Sequence, residues 1–216
     1  MDQKTSSEIV CRFIVPGNPP DKVIEAYSEW AQHFNEIFDS LNYIGHKLVA
    51  NQAAARIPQE KRGALKVIDI AAGTGRVGRL LRDKGFSNID ALEPSKGMLD
   101  VLQKTGAYTN TYAEFLGVGQ NSVPEDMYDV LVMSGGFAEG HIPVSGIDDM
   151  IRITKPGGLV IIAMRKSYLL CEEYKDRLIP YMDEMERQGK WIKEDVEFVD
   201  EYVVNENGIL FTYKVV

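Results

Sequence analysis

The stretch Val67–Gly78, VIDIAAGTGRVG, narrows the possible folds more than any other part of the chain. A short run rich in apolar residues ends in an aspartate, small residues and glycines follow, and a segment with helical character begins. That is the pattern of a buried strand, a tight turn and a helix start. Glycine lacks the Cβ that would hold a ligand away from the backbone. The first amide groups of a helix have no intrahelical acceptor, so they point at whatever occupies the turn. The segment is a candidate site for a nucleotide-type ligand.

Two readings of the turn compete. Gly73, Gly75 and Gly78 satisfy G-x-G-x-x-G, and Glu93 follows Gly73 by 20 residues, as in a dinucleotide-binding fingerprint. Three features point elsewhere. Asp69 sits inside the strand near its carboxyl end, four residues before Gly73, where a carboxylate sits poorly beside a pyrophosphate and suits a ligand carrying an ammonium group. Glu93 is followed by PSKGML, which places Met98 and Leu99 one helical turn beyond the acid, able to flank a flat ring. KPGG at Lys155–Gly158 immediately precedes the apolar run LVIIAM.

Those three elements, in that order, resemble the class I S-adenosylmethionine-dependent methyltransferases. In that family the first motif reads V-L-D-x-G-x-G-x-G, the second strand ends in an acid, and K-P-G-G often introduces the fifth strand. The resemblance spans residues 64–165 at motif level. The segments SGGFAEGHIP, IRITKPGGLV and EEYKDRLIPYMDEMERQGKW are similar to the Williams–Beuren-region methyltransferase-like protein family and extend the match nearly to the C-terminus. The resemblance implies an α/β fold: a Rossmann-like seven-stranded, mostly parallel sheet, helices on both faces, and the last strand antiparallel. It also implies S-adenosyl-L-methionine as methyl donor and S-adenosyl-L-homocysteine as product.

The site residues it implies can be named. Asp69, Ala71, Gly73, Thr74 and Gly75 face the methionine end of the donor, Glu93 accepts two ribose hydroxyls, and Pro94 and Met98 pack the adenine faces. After strand three the family often places an acid before alanine; here Tyr112 departs from that pattern, Ala113 offers its amide and Glu114 follows. Ser134 and Gly135 after strand four leave room near the methyl group, and the N/D-P-P-Y motif of amino-methylating nucleic-acid enzymes is missing there. His141, with Glu139 beside it, is the candidate general base, since histidine titrates near neutrality. Arg165 and Tyr168 are candidates to bind an anionic or polar substrate. The family's lid motif Y-x-x-W-A-x-x-Y is approximated by YSEWAQHF, so Tyr27, Trp30 and Phe34 are lid candidates, with Phe34 in place of the second tyrosine. The same aromatic stripe also reads as a helix face packed on the sheet.

The chain divides into a mobile polar lead (1–20, ending PGNPP), a helical lid (21–57, with Asp21 as N-cap) and the methyltransferase domain (64–216). Within the last, strands fall at 66–70, 89–92, 107–112, 129–133 and 159–164. Helices fall at 76–84, from Ser95, and at 147–153, and Gly85 suits a helix C-terminus. The tail reads as a helix over 171–188 and two β-rich runs separated by the turn signal NENG. His33 and His46 read as helix-surface residues.

Composition bounds the partners. A net charge of −8 without a sustained basic stripe disfavours nucleic acid, whose binders concentrate cations against the phosphates. No apolar run approaches the ~20 residues that cross a bilayer, and MDQKTSSE lacks the pattern of a secretory signal. Cys11 and Cys171 have no metal-ligand spacing and read as free thiols, which points to the cytoplasm. The expectation is a monomer or homodimer, with no metal, methylating a small molecule. The alternatives are methylation of a protein, an NAD(P)-binding oxidoreductase, and a catalytically silent cofactor-binding protein.

Overall fold

The computed structural model describes residues 2–13 and 17–216, residues 11–13 by their backbone alone. Helices α1 (Gln3–Phe13), α2 (Pro20–Trp30), α3 (Phe34–Ser40), α4 (Gly45–Arg56) and α5 (Gln59–Arg62) precede the first strand. Then follow β1 (Lys66–Ile70), α6 (Arg76–Asp83), β2 (Asn88–Leu92), α7 (Lys96–Gln103), β3 (Thr111–Tyr112) and β4 (Tyr128–Ser134). The chain continues through α8 (Gly146–Ile153), β5 (Thr154–Arg165), a short 3-10 helix (Lys166–Leu170), α9 (Leu178–Arg187), β6 (Trp191–Val203) and β7 (Glu206–Val215).

One seven-stranded sheet results, in the order β3-β2-β1-β4-β5-β7-β6. β1 pairs in parallel with β2 and β4, and β4 in parallel with β5. β7 runs antiparallel to both β5 and β6. The expected Rossmann-like architecture is what the chain adopts. Alternation along the strands sends their side chains to two cores. Ile68, Ile70, Leu131, Met133 and Ile162 pack on the face covered by α8 and α9. Val67, Val130, Val132, Ile161 and Ala163 pack beneath α1, α3, α4 and α6. The sheet order reverses between β1 and β4, and ligands in open α/β sheets bind beyond the strand ends at that point.

The departures from the sequence reading have local causes. The segment read as a polar lead carries α1, whose Ile9 and Val10 are buried; residues 14–16 lie outside the described residues. The helical stretch 21–57 is three helices, broken between Trp30 and Phe34 and again around Asn42, whose φ of 53° is left-handed. The N-cap of α2 is Pro19 rather than Asp21. β3 is only two residues long, and β5 begins five residues early, absorbing the KPGG turn. The tail helix begins at Leu178, after an irregular segment. The final hairpin turns at Val204 and Asn205, Val203 pairing with Glu206. Cys171 is a free thiol; the Cys11 side chain lies outside the described residues. Among the described residues no helix is long and apolar enough to cross a membrane.

Candidate functional site

Three positive φ angles form the turn after β1: 52° at Ala71, 56° at Gly73 and 83° at Gly75. Its glycines serve two purposes. A Cβ at Gly73 would meet nothing within 4 Å, so this backbone faces open space. A Cβ at Gly75 would lie 2.9 Å from the Tyr108 ring, and one at Gly78 would overlap the same ring. Those two glycines let Tyr108 wedge behind the turn. Its hydroxyl donates to Asp69 Oδ2 (2.6 Å) and accepts from the Gly78 amide (2.9 Å). Asp69 is consequently buried under α6, on the face of β1 that Val67 shares, with Oδ1 unpartnered. Burial pushes its carboxyl up to about 7, against the pull of the Tyr108 bond, and nearby Glu93 raises it further.

Glu93 stands in front of the turn. Its Oε2 accepts the Gly73 amide and its Oε1 the Ser95 amide, both at 2.9 Å, so one carboxylate joins the glycine turn to the start of α7. Burial raises it to about 7, against the two amide bonds that favour its charged form. Ser95 caps α7 by accepting from the Met98 amide (3.2 Å), and its hydroxyl pairs with Ser28 of α2 (2.8 Å). Glu93, Pro94, Met98, Phe115 and Leu116 line one lobe of a cleft of about 670 Å³, lidded by Val23, Ile24 and Tyr27 of α2.

A second lobe of about 630 Å³ shares Tyr27, Phe34, Ala71, Gly73, Ser134 and Gly135 with the first. Arg76 reaches it from the start of α6. Its Nη2 meets Asp39 and donates to His46 Nε2 (3.1 Å), while its buried Nη1 has no partner. Because Nε2 of His46 accepts, Nδ1 carries the hydrogen, and it too is buried without a partner. His46 is therefore no surface residue. Burial first, then the Arg76 charge, depresses it to about 3, so it is neutral. Ser134, Tyr43 and Tyr202 form a hydroxyl chain at the end of β4, with links of 2.6 and 3.2 Å, and Tyr202 donates to the Ala163 carbonyl (3.2 Å).

His141 lies between the lobes and α2. Its Nδ1 is 2.8 Å from the Glu139 carbonyl, which can only accept, so Nδ1 bears the hydrogen. Nε2 then carries the lone pair and accepts from the Tyr27 hydroxyl (2.8 Å). Burial lowers the histidine's basicity and raises that of Tyr27, so both are neutral and the bond runs from tyrosine to histidine.

Comparison with known proteins fits this arrangement. A family model described as a methyltransferase domain matches residues 67–158. Human Methyltransferase-like protein 27 is 30% identical over 165 residues, covering 76% of this chain and 66% of the relative. The chain carries a methyltransferase domain. A demethylmenaquinone methyltransferase of Renibacterium salmoninarum is 27% identical over 149 residues, 67% of this chain and 59% of that one. The chain thus spans less than two thirds of these curated relatives. A TehB-like methyltransferase from Corynebacterium glutamicum shares the fold with a TM-score of 0.63 at 19% identity, covering 89% of this chain and all of the other.

The structure gathers most of the anticipated residues around the cleft: Tyr27, Phe34, Ala71, Gly73, Glu93, Pro94, Met98, Ser134, Gly135 and His141, with Thr74, Arg165 and Tyr168 in the second lobe. Others stand elsewhere. Asp69 and Gly75 lie behind the turn with Tyr108. Trp30 packs toward His33 and the α-helical core. Tyr112 packs on the opposite core, Ala113 is exposed, and Glu114 accepts from Ser122; Phe115 and Leu116 take their place at the wall. Glu139 contributes its backbone carbonyl. Cleft residues without a local sequence signal include Tyr43, His46, Tyr202, Phe115 and Leu116; Arg76, next after the last turn glycine, had a positional one.

Proposed function

We propose that the chain transfers a methyl group from S-adenosylmethionine to a nucleophile on a small molecule by in-line displacement. One observation carries this reading: the Glu93 carboxylate, anchored by the Gly73 and Ser95 amides, stands in a cleft wall beside open backbone at Gly73. Its remaining lone pairs suit a ribose diol. The name of the demethylmenaquinone methyltransferases, which specifies a small acceptor, supports the substrate class.

The residues fit the donor. Pro94, Met98 and Leu116 offer apolar walls for the adenine. The unpartnered Arg76 Nη1 and His46 Nδ1 are two buried hydrogen-bond donors, suited to the carboxylate of an amino acid. Asp69 acts through Tyr108, holding the turn in shape. When bound, the donor supplies a methyl already activated on a sulfonium, so alignment can provide much of the rate. Tyr27 and Phe34 close the cleft from the N-terminal helices. His141 is the proposed base: the Glu139 carbonyl fixes its tautomer, and a proton from the acceptor reaches Nε2 by way of the Tyr27 hydroxyl.

Calorimetric titration with S-adenosylhomocysteine tests the reading. Glu93→Ala removes two charge-assisted hydrogen bonds worth roughly 1.5–3 kcal/mol each, so affinity drops at least about tenfold. Unchanged affinity in the folded variant, or binding of a nicotinamide dinucleotide instead, overturns it.

A further inference from the structure

The guanidinium of Arg165 is the feature that the donor site leaves unused. It stands at the carboxyl end of β5, partly buried, and lines the second lobe. Two other partly buried arginines are well supplied with acceptors. Arg62 donates to three backbone carbonyls, and Arg152 to Asp149, Asn121 and the Val123 carbonyl. The Arg165 guanidinium makes neither an ion pair nor a hydrogen bond with the described residues. It lies over the Tyr168 ring, 5.5 Å from its centre. A partly desolvated guanidinium with five free donors calls for an anion, and its fork fits a carboxylate best.

The walls around it are aromatic: Phe34, Phe38, Tyr43, Tyr168 and Tyr202, with Tyr27 above. The polar end opposite has a defined sense. Tyr202 gives its hydrogen to the Ala163 carbonyl, which can only accept. All three links of the hydroxyl chain are then made only if Tyr43 donates to Tyr202 and Ser134 donates to Tyr43. Ser134 Oγ is left showing lone pairs to the cleft, a surface that repels a carboxylate. Ser134 pairs with Ala163 across the strands, and Arg165 lies two residues further along β5, roughly 7 Å of strand rise away. That separation is about the length of one ring with its two substituents.

We propose that the methyl acceptor is a flat aromatic carboxylate, its acid group paired with Arg165 and its O–H or N–H nucleophile directed toward Ser134, Gly135 and His141. The inference rests on the methyltransferase reading above. In the transfer, the nucleophile's lone pair forms the bond to the methyl carbon. The carbon–sulfur pair stays on sulfur as the neutral thioether. The nucleophile's proton passes through Tyr27 to His141.

The test titrates 4-hydroxybenzoate and its uncharged methyl ester into the protein saturated with S-adenosylhomocysteine. The acid is expected to bind at least about tenfold more tightly than the ester. Arg165→Gln should erase that preference, Arg165→Lys should keep part of it, and both should bind S-adenosylhomocysteine as the parent does. Equal binding of acid and ester, binding of neither, or a preference that survives Arg165→Gln overturns the proposal while the donor reading stands. So does an equal loss of S-adenosylhomocysteine affinity in Arg165→Gln, which would give the guanidinium to the donor. Failure of S-adenosylhomocysteine to bind the parent protein overturns both.

Discussion

Two carboxyls packed about one glycine turn are expected to make donor binding a proton-linked event. Asp69 and Glu93 are both held near pH 7 by burial. In the unfolded chain such groups titrate at about 4. Between those values the folded protein carries protons that the unfolded chain has lost, so these groups make stability fall as pH rises across that window. His46 works in the opposite sense. Depressed to about 3, it makes stability fall as pH drops below the ordinary histidine value of about 6.5. Ribose hydroxyls donating to Glu93 would favour its charged form. The expected outcome is that S-adenosylhomocysteine binds more tightly at pH 8 than at pH 6 and releases a proton near pH 7. Calorimetry in buffers of different ionisation heat measures that proton, and Glu93→Gln should abolish it; unchanged proton release in the variant would move the linkage to Asp69. Glu93 and Gly73 were legible from the sequence because strand, turn and acid sit at fixed short spacings. Asp69 was not, because its partner Tyr108 comes from the loop after α7 and takes the carboxylate to the rear.

At the scale of elements, the decisive contact is the crossing of α2 over α7. A Cβ at Gly97 would fall inside contact distance of the Ser28 carbonyl oxygen and 2.7 Å from its Cα, so the two backbones touch there. Ser28 is also the partner of the α7 cap. Gly97→Ala must push α2 away, and overpacking of this kind costs roughly 1–3 kcal/mol. Because α2 carries Tyr27, the same change should loosen the bond to His141 and weaken product binding. Thermal unfolding and titration together check this: lower stability with unaltered affinity would separate α2 from the site. The crossing is invisible in the sequence, where Gly97 looks like an ordinary helix residue. Strands β1, β2 and β4, by contrast, announce themselves through short apolar runs bounded by turn residues. β3 does not: its two residues are defined by pairing with Ala91 and Leu92 rather than by their own pattern.

On the scale of the whole molecule, the cleft is assembled from two sources. The parallel strands supply Glu93, Ser134 and Arg165 at their carboxyl ends, and the N-terminal helices supply Tyr27, Phe34, Tyr43 and His46. The family motifs made the first set readable; the second depends on how α2–α4 fold back over the sheet, which no local pattern encodes. Among the polar links that tie that cover to the rest are Tyr27 to His141, Ser28 to Ser95, Asn35 to Thr74, and Asp39 to Arg76. Each joins the cover to a residue of, or next to, the proposed donor site. A ligand filling the cleft therefore adds contacts to both halves at once and stabilises the closed arrangement by mass action. Limited proteolysis with and without saturating S-adenosylhomocysteine measures this directly. Cleavage within residues 20–45 should slow severalfold when the product is bound, while cleavage elsewhere changes less. Equal rates in both conditions would make the aromatic stripe of α2 and α3 ordinary core and leave the cleft permanently closed.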